Sequence, residues 1–397
     1  MNDRPKRSSK TTAEQKIKSI IYYEKTPGTR LHSSGNIHHI EKKDGEKGKK
    51  EKNKNTNKKS SKKQCNNSID TFLTDKEINT LSDLIEICET YNEIKQKKGK
   101  ISKNKIYHEG IEKLCDVLEW LYELNKMIGL KHVKETVVNQ LIYIIQDLTC
   151  DEDLNHIQVC ANPGTGKTTL AIILGKIFAG LGMLSNGDVI TATRSDLIGN
   201  FLGETALKTT EVMLTCKGNV LLLDEVYSLG SPEQRDSFSK ECIDTINQFL
   251  TEFSDNLLCI IVGYEDDIQK CFFDVNKGLE RRFPWKYRID DYTMKDLKDI
   301  FCYQVNEIEW ELDENVHCIL ENNIFIDSNK DLFKNQGGDT LTLLGRCKIF
   351  HARRIFKQDG QGKFILSKED VLKGMDNFKV YKEGLRNKQI GNMMMYL

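Results

Sequence analysis

The run Ala161-Asn162-Pro163-Gly164-Thr165-Gly166-Lys167-Thr168 sets two glycines, a lysine and a hydroxyl side by side. Glycines let successive backbone N–H groups turn inward around an anion, and a following helix start adds its positive dipole end. A phosphate-binding loop needs a strand before it and a helix after it. Both are predicted here: His156–Cys160 reads as a strand, and Leu170, Ile173, Leu174, Ile177 and Phe178 form one face of the helix that follows. In such a loop Lys167 sits between β- and γ-phosphates as a point charge, and the Thr168 hydroxyl ligates Mg²⁺. The residues assigned to the nucleotide are Asn162, Pro163, Gly164, Thr165, Gly166, Lys167, Thr168 and Thr169. The first glycine of G-x-x-x-x-G-K-T is Ala161, at the strand end, where it takes little part in the cradle.

The second constellation is Val220-Leu221-Leu222-Leu223-Asp224-Glu225, an apolar strand that ends in two acids. A parallel sheet binds ligands beyond the carboxyl ends of its strands, so these acids belong beside the loop. Asp224 is placed to hold Mg²⁺ through water, and Glu225 to orient and deprotonate an attacking water. Two acids in separate roles distinguish a hydrolase from a nucleotide binder.

These residues need a scaffold. From Gly129 to about Asp290, apolar runs of four to six residues alternate with amphipathic helices, as in a parallel sheet covered on both faces. The predicted strands are Ile157–Cys160, Val189–Ala192, Val220–Leu223 and Leu257–Val262. Ahead of them, helices are predicted over Lys76–Ile94 and Tyr107–Lys126, a small packed adaptor. An acid-rich helix, Arg235–Phe253, turns Phe238, Cys242, Ile246, Phe249, Leu250 and Phe253 to the core. The expected organisation is a disordered Lys/Asn-rich tail (1–68), a helical segment (69–126), a nucleotide-binding core (127–290), and a helical lid with the C-terminal tail (291–397).

Composition narrows the field. The 397 residues carry 59 Lys+Arg and 59 Asp+Glu, which excludes a uniformly basic or acidic chain. The balance hides a split, since residues 1–64 hold 19 Lys+Arg against 7 Asp+Glu, a net +12. Glu41–Lys63 contains no apolar residue and cannot offset the entropy of ordering. A solvated tail is expected there, and an arm for nucleic acid or a nuclear address is the alternative. No apolar run approaches the roughly 18 residues that cross a bilayer, and the N-terminus lacks an apolar signal core. The 12 cysteines form no C-x-x-C pair, which argues for reduced thiols in a cytosol-like compartment.

The chain resembles the AAA+ ATPases, and more closely their CbbX/SpoVK-type branch, whose members include homologues in large DNA viruses. The resemblance runs from about Met127 to Phe356. It is carried by Met127-Ile128-Gly129-Leu130, the Asn162–Thr168 loop, Thr193-Arg194-Ser195-Asp196-Leu197-Ile198-Gly199, Gly203-Glu204-Thr205-Ala206, Leu223-Asp224-Glu225-Val226-Tyr227, Val262-Gly263-Tyr264 and Gly278-Leu279-Glu280-Arg281-Arg282-Phe283. It implies an αβα core with a parallel sheet, a helical lid, and a ring, usually hexameric, with ATP between neighbours. By the same resemblance Ile128 and Gly129 pack on adenine, and Arg282 reaches the neighbour's γ-phosphate. Phe201 matches the aromatic of the central-pore loop. Two features depart: Tyr264 stands where the superfamily usually has a polar sensor, and no arginine opens the lid segment Gly337–Arg346. The expectation is a Mg²⁺-dependent ATPase that remodels or threads a protein or other macromolecule, in the cytoplasm (a host's, if viral), with the nucleus open through the basic tail. Its rivals are a nucleic-acid-dependent motor using residues 1–64 and a nucleotide-gated scaffold that does not hydrolyse.

Overall fold

The computed structural model describes residues 77–98, 106–149, 154–201, 203–230, 236–276, 278–356 and 362–394. The predicted tail, residues 1–68, lies outside them. In chain order the elements are α1 (Leu81–Lys98), α2 (Ile106–Asp116), α3 (Leu118–Lys126), α4 (Lys131–Ile145), β1 (Ile157–Ala161), α5 (Lys167–Phe178), β2 (Val189–Ala192), α6 (Glu204–Cys216), β3 (Val220–Leu223), α7 (Ser237–Glu252), β4 (Leu258–Gly263) and β5 (Trp285–Ile289). They are followed by α8 (Met294–Glu307), β6 (Glu311–Leu312), α9 (Gln336–Ile355), β7 (Ile365–Leu366) and α10 (Lys368–Met394), with shorter helical turns between.

β1 to β5 form a parallel sheet in the order β2-β3-β4-β1-β5. Successive side chains of a strand point to opposite faces, and here they enter two separate cores. Val159, Val220, Leu222, Ile260 and Val262 join α5, the N-terminal helices and the C-terminal helices. Cys160, Leu221, Leu223, Cys259 and Ile261 join α6 and α7. α5 is buried nearly all round, and its Gly175 lets it lie against the sheet: a Cβ there would sit 3.2 Å from Val220. β6 and β7 form a separate two-stranded pair.

Four expectations need adjusting. The helix predicted over Tyr107–Lys126 breaks into α2 and α3 at Val117, whose buried side chain lies where a Cβ on Gly180 would approach to 2.4 Å. Strand β5 was not predicted; it alternates buried Tyr287 and Ile289 with exposed Lys286 and Arg288. α7 starts at Ser237, with Asp236 as its cap accepting from the Phe238 and Ser239 amides. α1 to α3 are not set apart from the sheet, because Leu84, Leu114, Leu121 and Leu124 share one core with β1 and α5. No helix among the described residues is long and apolar enough to cross a membrane.

Candidate nucleotide site

Parallel strands all end on one edge of the sheet, so the residues that follow β3, β4 and β1, three neighbours, are brought together. These are Asp224 and Glu225 after β3, Tyr264 after β4, and Asn162 onward after β1. The convergence follows from topology and needs no contact between distant side chains to create it.

The loop is shaped by its backbone. Gly164 and Gly166 have φ +73° and +86°, left-handed values that a residue with a Cβ adopts at a cost. Thr165 donates its hydroxyl to the Asn162 carbonyl at 2.8 Å, and Leu170 N–H reaches back to Gly166 O, starting α5. No side chain caps that helix start. Asn162 donates to Asp291 at 2.7 Å, pinning the loop's exposed shoulder. Pro163 is exposed and Thr169 half-buried.

Thr168 Oγ1 donates to Asp224 Oδ2 at 2.7 Å, which brings together two residues 56 positions apart. Hydroxyl and carboxylate oxygens are the donors Mg²⁺ takes, so the pair fits that ion. The Glu225 amide donates to Asp224 Oδ1 at 2.9 Å. Glu225 itself is exposed, with its backbone at φ +51°. The cleft beside it is lined by Thr193, Ser195, Gly199, Asn200, Asp224 and Ser228. Lys167 is partly buried, which lowers its pKa; the Asp224 and Glu225 charges oppose that shift. Its Nζ donates to Asn162 O at 3.4 Å and lies 4.5 Å from the centre of the Tyr264 ring.

Ile128 and Gly129 sit at the turn into α4, with the backbone closed by Lys134 Nζ on Met127 O (2.7 Å) and Asn125 O (2.9 Å). A Cβ on Gly129 would lie 3.2 Å from the Tyr292 ring. Phe201 stands at the turn before α6 and is 71 % exposed, so its ring takes no part in the core. Its amide and that of Asn200 donate to Glu204. Arg282 is half-buried: Nε and Nη2 donate to Thr251 Oγ1 (3.1 and 2.7 Å) and Nη1 to Gly278 O (2.7 Å). Burial, then neighbouring Arg281, lowers its pKa. Glu280 pairs with Lys286 rather than with either arginine.

Two contributions went unread in the sequence. Arg194 Nη1 donates to Ser228 O and Leu229 O, and its Nη2 pairs with Asp236 at 2.7 Å. The Ser239 hydroxyl and this guanidinium hold Asp236 at about 2. Arg194 thereby fastens the segment after β2 to the turn after Glu225. The other is the lid. Gly337 N–H donates to Gly164 O at 3.0 Å, Tyr292 OH to Thr165 O at 2.8 Å, and Tyr292 N–H to Gln336 at 3.1 Å. The first turn of α9 therefore rests on the phosphate loop itself. Arg346 instead meets Asn377 and the Tyr381 ring on α10.

The family profile described as "ATPase family associated with various cellular activities (AAA)" matches residues 157–284. A cfxQ-like protein of Acanthamoeba polyphaga mimivirus is 36 % identical over 322 residues, covering 80 % of this chain and 76 % of that protein. The CfxQ homolog of Trieres chinensis is 30 % identical over 266 residues, 65 % of this chain and 89 % of that one. Stage V sporulation protein K of Bacillus subtilis is 32 % identical over 199 residues, 48 % and 61 % of the two chains.

Proposed function

This chain belongs to the AAA family of ATPases, in its CbbX/SpoVK-like branch, and on that premise we propose that it assembles into a ring, hexameric by family habit, and spends ATP hydrolysis on remodelling or threading a macromolecular partner. Hydrolysis of ATP comes with the family; the ring, Mg²⁺ and the division of labour among residues are our reading. The observation that carries it is the 2.7 Å Thr168–Asp224 bond beside an uncapped, glycine-lined turn.

In this reading the amides of Gly164 to Thr168 wrap the phosphates and Lys167 balances their charge. Thr168, and Asp224 through water, would hold Mg²⁺, which would supply positive charge against the phosphates. Glu225, exposed at the cleft, takes the proton of the attacking water. Arg282 acts on the adjacent subunit's nucleotide. Thr251 and Gly278 engage three of the guanidinium's five N–H donors, which steadies it and leaves donors for a phosphate. Phe201 offers an exposed ring to grip an extended chain by non-directional apolar contact.

The test is Glu225→Gln. It is expected to bind ATP while turnover falls about 10²- to 10⁴-fold, the usual contribution of a general base. The stalled protein then retains its partner for capture from a cell lysate. Unchanged phosphate release would remove Glu225 from the role.

A further inference from the structure

Lys167 has no carboxylate within ion-pair distance among the described residues. Its close partners are a long 3.4 Å contact to Asn162 O and the face of Tyr264, 4.5 Å from Nζ to the ring centre. An aromatic face attracts an ammonium through its quadrupole. The ring is itself held: Tyr227 stacks on it with centres 5.3 Å apart and planes 24° apart. Room for that stack comes from Gly263, where a Cβ would lie 2.9 Å from Tyr227 Cδ1. The three parts come from different elements, the end of β4, the turn after β3 and the start of α5. Since these share one sheet edge, the arrangement is built by the fold rather than by a flexible side chain's chance position.

We propose that Tyr264 is a positioning residue for Lys167: its ring seats the ammonium while the phosphate loop is empty and yields it to an incoming phosphate, with Tyr227 bracing the ring from behind. The inference rests on Lys167 being a phosphate ligand. It gives the tyrosine at the sensor position a task different from a polar contact to the γ-phosphate. The seat competes with nucleotide, so removing it favours binding and strengthening it opposes binding. A cation–π contact of ordinary strength corresponds to about a two- to fivefold change in affinity.

The full chain, isotope-labelled at lysine Cε, provides the direct readout. Without nucleotide, one lysine resonance should be displaced by the Tyr264 ring current and be missing in both Lys167→Ala and Tyr264→Leu. Adding Mg-ATP should return it to the ordinary lysine position. By calorimetry, Tyr264→Leu should bind ATP about two- to fivefold more tightly, and Tyr264→Trp, with the stronger ring, more weakly. The proposal is overturned if the displaced resonance survives in Tyr264→Leu, if it ignores ATP that calorimetry shows bound, or if Leu and Trp shift affinity the same way. A folding defect in Tyr264→Leu cannot imitate the Trp result, because tryptophan keeps a ring for Tyr227. If Lys167→Ala binds ATP as tightly as the unaltered chain, Lys167 is no phosphate ligand, and that different failure removes the premise.

Discussion

His156 has no exposed surface. Its Nδ1 accepts the Cys259 amide at 3.2 Å, which leaves Nε2 as the protonated nitrogen facing Leu250 O. A second proton would have to sit on Nδ1 against an N–H donor, inside the core. Burial accordingly holds its pKa at about 4, against an ordinary 6.5. The unfolded chain therefore takes up the proton first. Stability from this group is complete above pH 6.5 and is lost as pH falls toward 4, by about 3 kcal/mol in all. Denaturant unfolding at pH 7 and pH 4.5 should show this loss in the native chain and a smaller one in His156→Gln. Parallel losses would contradict the account. His156 also lies 5.6 Å from the ring of Phe283, the residue that follows Arg282.

At the scale of elements, the contact between α9 and the phosphate loop is made by main chain. A Cβ on Gly337 would come within 2.9 Å of Gly164 O, whereas Gly345 on the same helix has nothing within 4 Å. Gly337→Ala should thus lift the lid from the loop and weaken ATP binding by about tenfold, the worth of a lost buried hydrogen bond plus strain. Gly345→Ala should raise the Tm, through about 0.5–1 kcal/mol of helix propensity. Equal effects of the two would remove the latch. This contact also marks the limit of what the sequence discloses. β3 and β4 were legible because central parallel strands are continuously apolar, and β1, which carries Gln158, because the glycine-rich loop follows it. β5 was not, because an edge strand with Lys286 and Arg288 outward breaks the run. The join of α2 and α3 was hidden by apolar spacing that continues through Val117. The loop and the acids could be read from residue type. The lid's approach could not, because glycine backbone carries no chemical signature of its partner. Arg194 sat in a quoted motif, but its partners lie 34 to 45 residues away.

On the molecular scale, a ring in which each site borrows an arginine is a head-to-tail assembly, so two different lesions can complement. Glu225→Gln subunits keep Arg282, and Arg282→Ala subunits keep Glu225. Each alone should be nearly inactive. Mixed in equal amounts and reassembled, random order restores an intact pairing at about a quarter of the interfaces, with matching turnover. No recovery on mixing would place Arg282 outside the neighbour's site. The same assembly would bring the Phe201 turns of successive subunits into one circle. Because Arg194 bolts the strand end that carries each turn to the segment after Glu225, a shift at one carboxylate has a short mechanical path to its aromatic.

Glu225 sits at φ +51°, ψ +46°, a left-handed pose that an L-residue with a full side chain holds at about 1–2 kcal/mol of strain. Glycine would rest there without strain, and asparagine nearly so. On the role proposed for Glu225, the most comfortable occupants of the position are thus ones without its carboxylate. If Glu225 serves as the proposed base, stability and turnover ask for different residues at this one position.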